Sequence, residues 1–130
     1  MSITKLPDYR LKQKVLYIDN TDAESLKKYG DLFLEAGNIS DALDFYDKAK
    51  YFKGIENIKA ISLDSGDVMI FERAMKILNK EPSPAQWEKI GQKAISLKKY
   101  HFTKYALEKT GKQEEVNSLL KIMKEGNLNT

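Results

Sequence analysis

His101 is the only histidine in the chain and cysteine is absent, so a zinc centre or a nucleophile–base pair would have to be built from one imidazole and carboxylates. One helical turn to either side of it stand Lys98 and Tyr105, neither of them a carboxylate. Asp41, Asp44 and Asp47, and the pair Glu114-Glu115, have the proximity that general acid–base chemistry uses. A chain with 19 acidic residues spread over helices produces such pairs by chance, however, and these read as solvated faces. Asp64-Ser65-Gly66-Asp67 sets acids beside a glycine but is too short for a calcium loop and lacks its terminal Glu. No Gly-rich phosphate cradle is present. The expectation is a protein that is not an enzyme, with no metal and no cofactor.

A second chemistry is carried by cations. Lys89, Lys93, Lys98, Lys99, Lys104, Lys109 and Lys112 are interleaved with Tyr100, Phe102 and Tyr105, a mixture able to hold phosphates and stack bases. Against it, Lys outnumbers Arg twenty to two, whereas phosphate and base recognition favours the guanidinium fork, and the aromatics fall at spacings a helical core needs. Nucleic-acid or polyanion binding through this basic C-terminal half is therefore kept as an alternative function. The charge is graded along the chain: residues 1–20 carry +2, 21–65 carry −3 and 66–130 carry +4. A few units over a hundred residues is also what ordinary helix surfaces produce.

The elements that must position these groups are helices. At 130 residues, 42% apolar and 32% charged, the chain has the size and composition of one globular domain, and no apolar run approaches the roughly 18 residues of a membrane span. The opening MSITKLPDYRLKQK lacks a secretory apolar stretch. With no cysteine to oxidise, the expected location is the cytoplasm and no membrane partner is expected. Gly37-Asn38, Gly54, Ser65-Gly66-Asp67, Pro82-Ser83-Pro84, Gly111 and Gly126 cut the chain into pieces of helical length. Ser83, Pro84 and Gln86 have the pattern of a capping box, and Thr21-Asp22-Ala23-Glu24 offers a similar start. Apolar residues recur at three and four: Leu26, Tyr29, Gly30, Phe33 and Leu34; Ile39, Ala42, Leu43, Tyr46 and Ala49; Trp87, Ile90, Gly91, Ala94 and Leu97; Val116, Leu119, Leu120 and Met123.

Ala42-Leu43, Ala74-Met75 and Ala106-Leu107 recur every 32 residues, a period typical of stacked helical hairpins. The predicted hairpins are 22–51, 54–79 and 84–110, followed by a capping helix over 112–125, in one domain spanning 1–130. The segment 1–20 supplies an extra helix with Leu11, Val15 and Ile18 on its inner side. In the middle hairpin the first helix is expected to be short and polar at Ser62 and Ser65, and Phe71 stands where Ala42 stood.

Leu26, Tyr29-Gly30, Phe33, Gly37-Asn38, Ala42, Tyr46 and Ala49 resemble one tetratricopeptide repeat, a good unit over residues 23–54. Trp87, Ile90-Gly91 and Ala94 resemble the start of another, with Lys98-Lys99 in place of the usual Gly-containing turn and Thr103 where Ala is expected. The units are also similar to the helical-hairpin solenoids of vesicle-coat and ciliary-transport proteins. The resemblance implies an all-α fold of about seven to eight helices, a right-handed superhelix of antiparallel hairpins whose concave face is lined by the first helix of each. It places Lys27, Asp31, Leu34 and Glu35, and then Glu88, Gln92 and Ile95, on that face as partner-binding residues. The family's Lys-Asn carboxylate clamp is not matched, because Lys27 is followed by Asp31 and Glu88 by Gln92. The implied function is a non-catalytic scaffold or adaptor that holds a protein or peptide partner. A further alternative is structural self-assembly, as a homodimer through the stripe Val116, Leu119, Leu120 and Met123 of the C-terminal helix.

Overall fold

The computed structural model describes residues 6–125. Among them are eight α-helices and no strand: α1 Tyr9–Tyr17, α2 Ala23–Glu35, α3 Ile39–Ala49, α4 Phe52–Ser65, α5 Val68–Ile77, α6 Pro84–Ser96, α7 Tyr100–Thr110 and α8 Gln113–Glu125. The architecture is all-α, with hairpin pairs α2–α3, α4–α5 and α6–α7. Two compact units are formed, one up to Ile58 and one from Lys59 onward, with the boundary inside α4.

Six left-handed residues punctuate the described part of the chain: Gly37, Lys50, Gly66, Asn79, Lys98 and Gly111. They fall into three pairs, one per hairpin, and within each pair the members are thirteen residues apart. At the first five, the amide of the next residue donates back into the last helical turn: Asn38 to Phe33 O at 2.8 Å, Tyr51 to Tyr46 O at 2.9 Å, Asp67 to Ser62 O at 3.0 Å, Lys80 to Met75 O at 2.9 Å and Lys99 to Ala94 O at 2.8 Å. This is the Schellman arrangement, which satisfies carbonyls a helix end leaves unpaired. Lys98 adopts φ 60°, so the Lys98-Lys99 turn has the same backbone as the glycine turns. The start of α6 follows expectation, with Ser83 Oγ accepting from Gln86 N at 3.1 Å and Gln86 Oε1 accepting from Ser83 N at 3.0 Å.

In the first unit Gly30 brings α2 and α3 together, because a Cβ there would lie 2.5 Å from the Tyr46 ring. Phe45 fills the neighbouring space, with its ring centroid 5.4 Å from Phe33 and 5.5 Å from Tyr29. Helix α1 lies against α3 through Lys12, which pairs with Asp41 and stands 3.9 Å from Asp44. Lys48 Nζ donates to Val15 O at 3.1 Å and to Leu16 O, so a cation sits at the negative end of α1.

In the second unit Trp87 meets Phe71 and Tyr105 edge-on at 5.6 and 6.0 Å, within a core of Val68, Phe71, Met75, Ile90 and Ala106. Each of the buried Val, Phe, Met and Ile side chains contributes about 1.5–3 kcal/mol. Gly66 is closely packed as well as left-handed, since a Cβ there would stand 2.9 Å from Ala94 Cα. The last turn of α4 is also capped from α6–α7, where Lys99 Nζ donates to Ser65 O at 2.6 Å. A second cluster, Leu107, Val116 and Leu119 with Ile95 and Tyr100 against it, fastens α8.

Four sequence expectations are corrected. Ala74 and Ala106 each stand eight residues beyond the left-handed residue of their turn, but Ala42 stands only five beyond Gly37, so the 32-residue Ala interval does not link equivalent sites in all three hairpins. Helix α4 is the longest described at 14 residues; Ser62 is accommodated in the core because its Oγ donates to Lys59 O at 2.7 Å. The buried face of α1 is Val15 and Leu16 beside Lys12, while Leu11 and Ile18 are exposed, because Lys12 is drawn toward Asp41 and Asp44. In α8 Val116 and Leu119 are buried but Leu120 is exposed, and the Met123 side chain lies outside the described residues.

Candidate partner-binding groove

The first-helix faces are built separately in the two units. On α2, Lys27 and Asp31 are one turn apart with Nζ and Oδ2 at 3.5 Å. Asp31 Oδ1 accepts the Tyr46 hydroxyl at 2.5 Å, and the Lys27 ammonium stands 5.1 Å from the centroid of the Tyr51 ring. Burial, with the Asp31 carboxylate second, holds the Tyr46 phenol well above its ordinary value. Asp31 is thus anchored by α3 as much as it is offered to solvent. Leu34 is half-buried and Glu35 exposed at the end of the same helix.

On α6, Glu88 reaches Lys112 Nζ at 2.7 Å, and this hydrogen bond raises the Lys112 ammonium above its ordinary value. Gln92 and Ile95, one and two turns further on, enter a groove of about 390 Å³ that they line together with Leu107, Glu114, Glu115, Ser118, Leu119 and Ile122. Its floor is aliphatic. Glu114 and Glu115, exposed in the first turn of α8, make one end acidic; at the other end Ile122 is half exposed. Lys112, which also lies 3.9 Å from Glu115, offsets part of that charge.

No protein-family model, curated protein or solved structure matches this chain.

The structure therefore assembles Gln92 and Ile95 into one site, sets Glu88 beside it in an ion pair, and places Lys27, Asp31, Leu34 and Glu35 on a separate helix face. Sequence reasoning missed the α8 contribution. Its signal was Glu115, Ser118 and Ile122 at three and four, running along the flank of the buried pair Val116 and Leu119. Once α8 is treated only as a cap, that polar-to-aliphatic flank reads as solvent-facing.

Four of the seven lysines of the basic stretch are engaged inside the second unit. Lys99 donates to Ser65 O, Lys104 lies 3.9 Å from Glu108, Lys109 stands 5.0 Å from the Tyr105 ring centroid, and Lys112 holds Glu88. Phe102 and Tyr105 pack on the Trp87 core and Tyr100 on the Leu107 cluster. The Tyr105 hydroxyl donates to both Glu72 oxygens at 2.8 Å. A depression of about 260 Å³ over Lys99, Tyr100, His101 and Phe102 is apolar. Among the described residues no group of three His, Cys, Asp or Glu side chains could hold a metal, and no helix is long and apolar enough to cross a membrane.

Proposed function

We propose that the chain is a non-catalytic protein-interaction module of tetratricopeptide-like helical hairpins, and that it seats a segment of a protein partner in the groove between α6 and α8. The observation that carries this reading is the composition of that groove: accessible Ile95 and Ile122 above buried Leu107 and Leu119, beside polar Gln92 and Ser118, with acids at one end. Such a surface suits the apolar side of an amphipathic helix, recognised through anchors three, four and seven residues apart. The backbone repeat, with a left-handed residue ending every hairpin helix and five of the six Schellman-locked, supports the family assignment, and the absence of cysteine suits a cytoplasmic scaffold.

The test is a photo-activated cross-linker placed at Ser118, on the groove, or at Glu24, exposed on α2, in the native cell. A protein cross-linked from Ser118, absent from Glu24 and lost when Ile122→Glu is added, is the expected result. Equal capture from both positions, or capture indifferent to Ile122→Glu, refutes the groove.

A further inference from the structure

The same chain carries a surface with the chemistry this groove calls for. The outward face of α1 presents Leu11, Tyr17 and Ile18, which are 42%, 68% and 78% exposed, together with the exposed cations Arg10 and Lys14. It is an aliphatic and aromatic stripe interleaved with positive charge, on a helix whose other side is fixed to α3 by Lys12 and Lys48. The groove in the second unit is aliphatic along its floor and negative at Glu114 and Glu115. Spacing also agrees. Arg10 and Tyr17 are seven residues apart and so are Glu115 and Ile122, in each case about two helical turns or 10.5 Å.

We propose that the occupant of the α6–α8 groove is the outward face of α1 from a second copy of this chain, laid parallel to α8 so that Arg10 and Lys14 meet Glu114 and Glu115 while Tyr17 and Ile18 cover Ile122. The inference rests on the groove reading above and names its partner. The opposite flank of α8 does not serve, because there the exposed Leu120 is accompanied one turn on by Lys124, which would repel Arg10 and Lys14. The contact joins unlike surfaces, so each copy uses one as donor and the other as acceptor. Such a contact can close reciprocally in a dimer, with α1 of each copy in the groove of the other, or continue into larger rings and open chains. Self-association through this pair of faces therefore differs from a homodimer made by two C-terminal stripes.

Sedimentation equilibrium on the full chain, over a hundredfold range of concentration and at low and moderate salt, tests it. The weight-average mass of the wild type rises above that of the monomer with concentration, and association weakens as salt is raised. The double variants Arg10→Glu/Lys14→Glu and Glu114→Lys/Glu115→Lys each keep full helicity and lose at least about tenfold in association constant, because like charges now face one another. Mixing the two variants in equal amounts restores association, since reversed head meets reversed groove. A wild type that stays monomeric throughout, or a mixture that remains dissociated, overturns the proposal. If the wild type is monomeric while the Ser118 cross-linker still captures another protein, the groove stands and its occupant is not this chain. If neither occurs, the groove reading falls as well.

Discussion

Two glycine turns with the same backbone should respond differently to one methyl group. Gly37 and Gly66 have φ of 82° and 68°; an alanine at either must adopt a conformation that costs an L-residue about 1–2 kcal/mol, less about 0.4–1 kcal/mol recovered because the unfolded chain is stiffened. At Gly37 nothing lies within 4 Å of the added Cβ, whereas at Gly66 it meets Ala94 Cα at 2.9 Å and Ala94 N at 3.0 Å. Those are backbone atoms of α6 and cannot swing away as a side chain would. Displacing them adds a packing term of about 1–3 kcal/mol, so Gly37→Ala should cost about 1 kcal/mol and Gly66→Ala about 2–4 kcal/mol. Lys98 supplies the reverse case. It already holds φ 60°, so Lys98→Gly should stabilise by about 0.5–1 kcal/mol, the strain released less the entropy that glycine adds to the unfolded state. Urea denaturation followed by circular dichroism, with tryptophan fluorescence reporting the unit that contains Trp87, measures all three. Equal losses at Gly37 and Gly66 would refute the close approach of α6 to the α4–α5 turn. A destabilised Lys98→Gly would refute the left-handed turn.

Two further substitutions follow from the same geometry. Gly30→Ala places its methyl 2.5 Å from a Tyr46 ring that is tethered to Asp31, whereas Gly91→Ala meets Ala106 Cβ at 3.3 Å; thermal melts should show Gly30→Ala losing about 1–3 kcal/mol and Gly91→Ala distinctly less. Tyr46→Phe probes the alkaline limb of stability. The folded-state phenol is raised above its unfolded value of 10, so the neutral form is favoured by folding, and that contribution is complete below pH 10 and lost as pH rises beyond it. Wild-type stability should therefore fall more steeply above pH 10 than that of Tyr46→Phe, and parallel pH profiles would remove Tyr46 as the cause.

Much of the fold was legible because its determinants are local. The capping box at Ser83, the apolar stripes and the glycine stops act within one helical turn, and they gave the helices and their pairing. The groove was only half legible. Gln92 and Ile95 could be placed by analogy along α6, but Glu115, Ser118 and Ile122 face α6 only because Val116 and Leu119 fasten α8 onto Leu107. That docking is a tertiary event, and no spacing within α8 states which flank will be covered. The face of α1 was misjudged for a similar reason. Leu11, Val15 and Ile18 make the more apolar stripe, yet the carboxylates of Asp41 and Asp44 on α3 hold Lys12 inward and turn Leu11 out.

The middle hairpin shows why an alanine interval misleads where a backbone interval does not. Counted from the left-handed turn residue, the two inward positions five and eight places on are Ala42 and Phe45 in the first hairpin, Phe71 and Ala74 in the second, and Thr103 and Ala106 in the third, all buried. The first two hairpins carry one Ala and one Phe in exchanged order. Close-packed interiors tolerate a volume-conserving exchange far better than a net change, so the middle unit is a permuted version of the first and not a degraded one. The irregularity in period has a separate origin. From the start of each first helix to its turn residue is fourteen places in every hairpin, and from turn residue to hairpin end thirteen. Only the connection varies, with Phe52 two places after Lys50 and Pro84 five places after Asn79. Three residues inserted in the exposed segment before the Ser83 cap lengthen the second interval without disturbing either hairpin, because a surface connection can grow at little cost where a packed helix cannot. The repeat is therefore kept in the left-handed residues that end the two helices of each hairpin, while core composition and linker length vary.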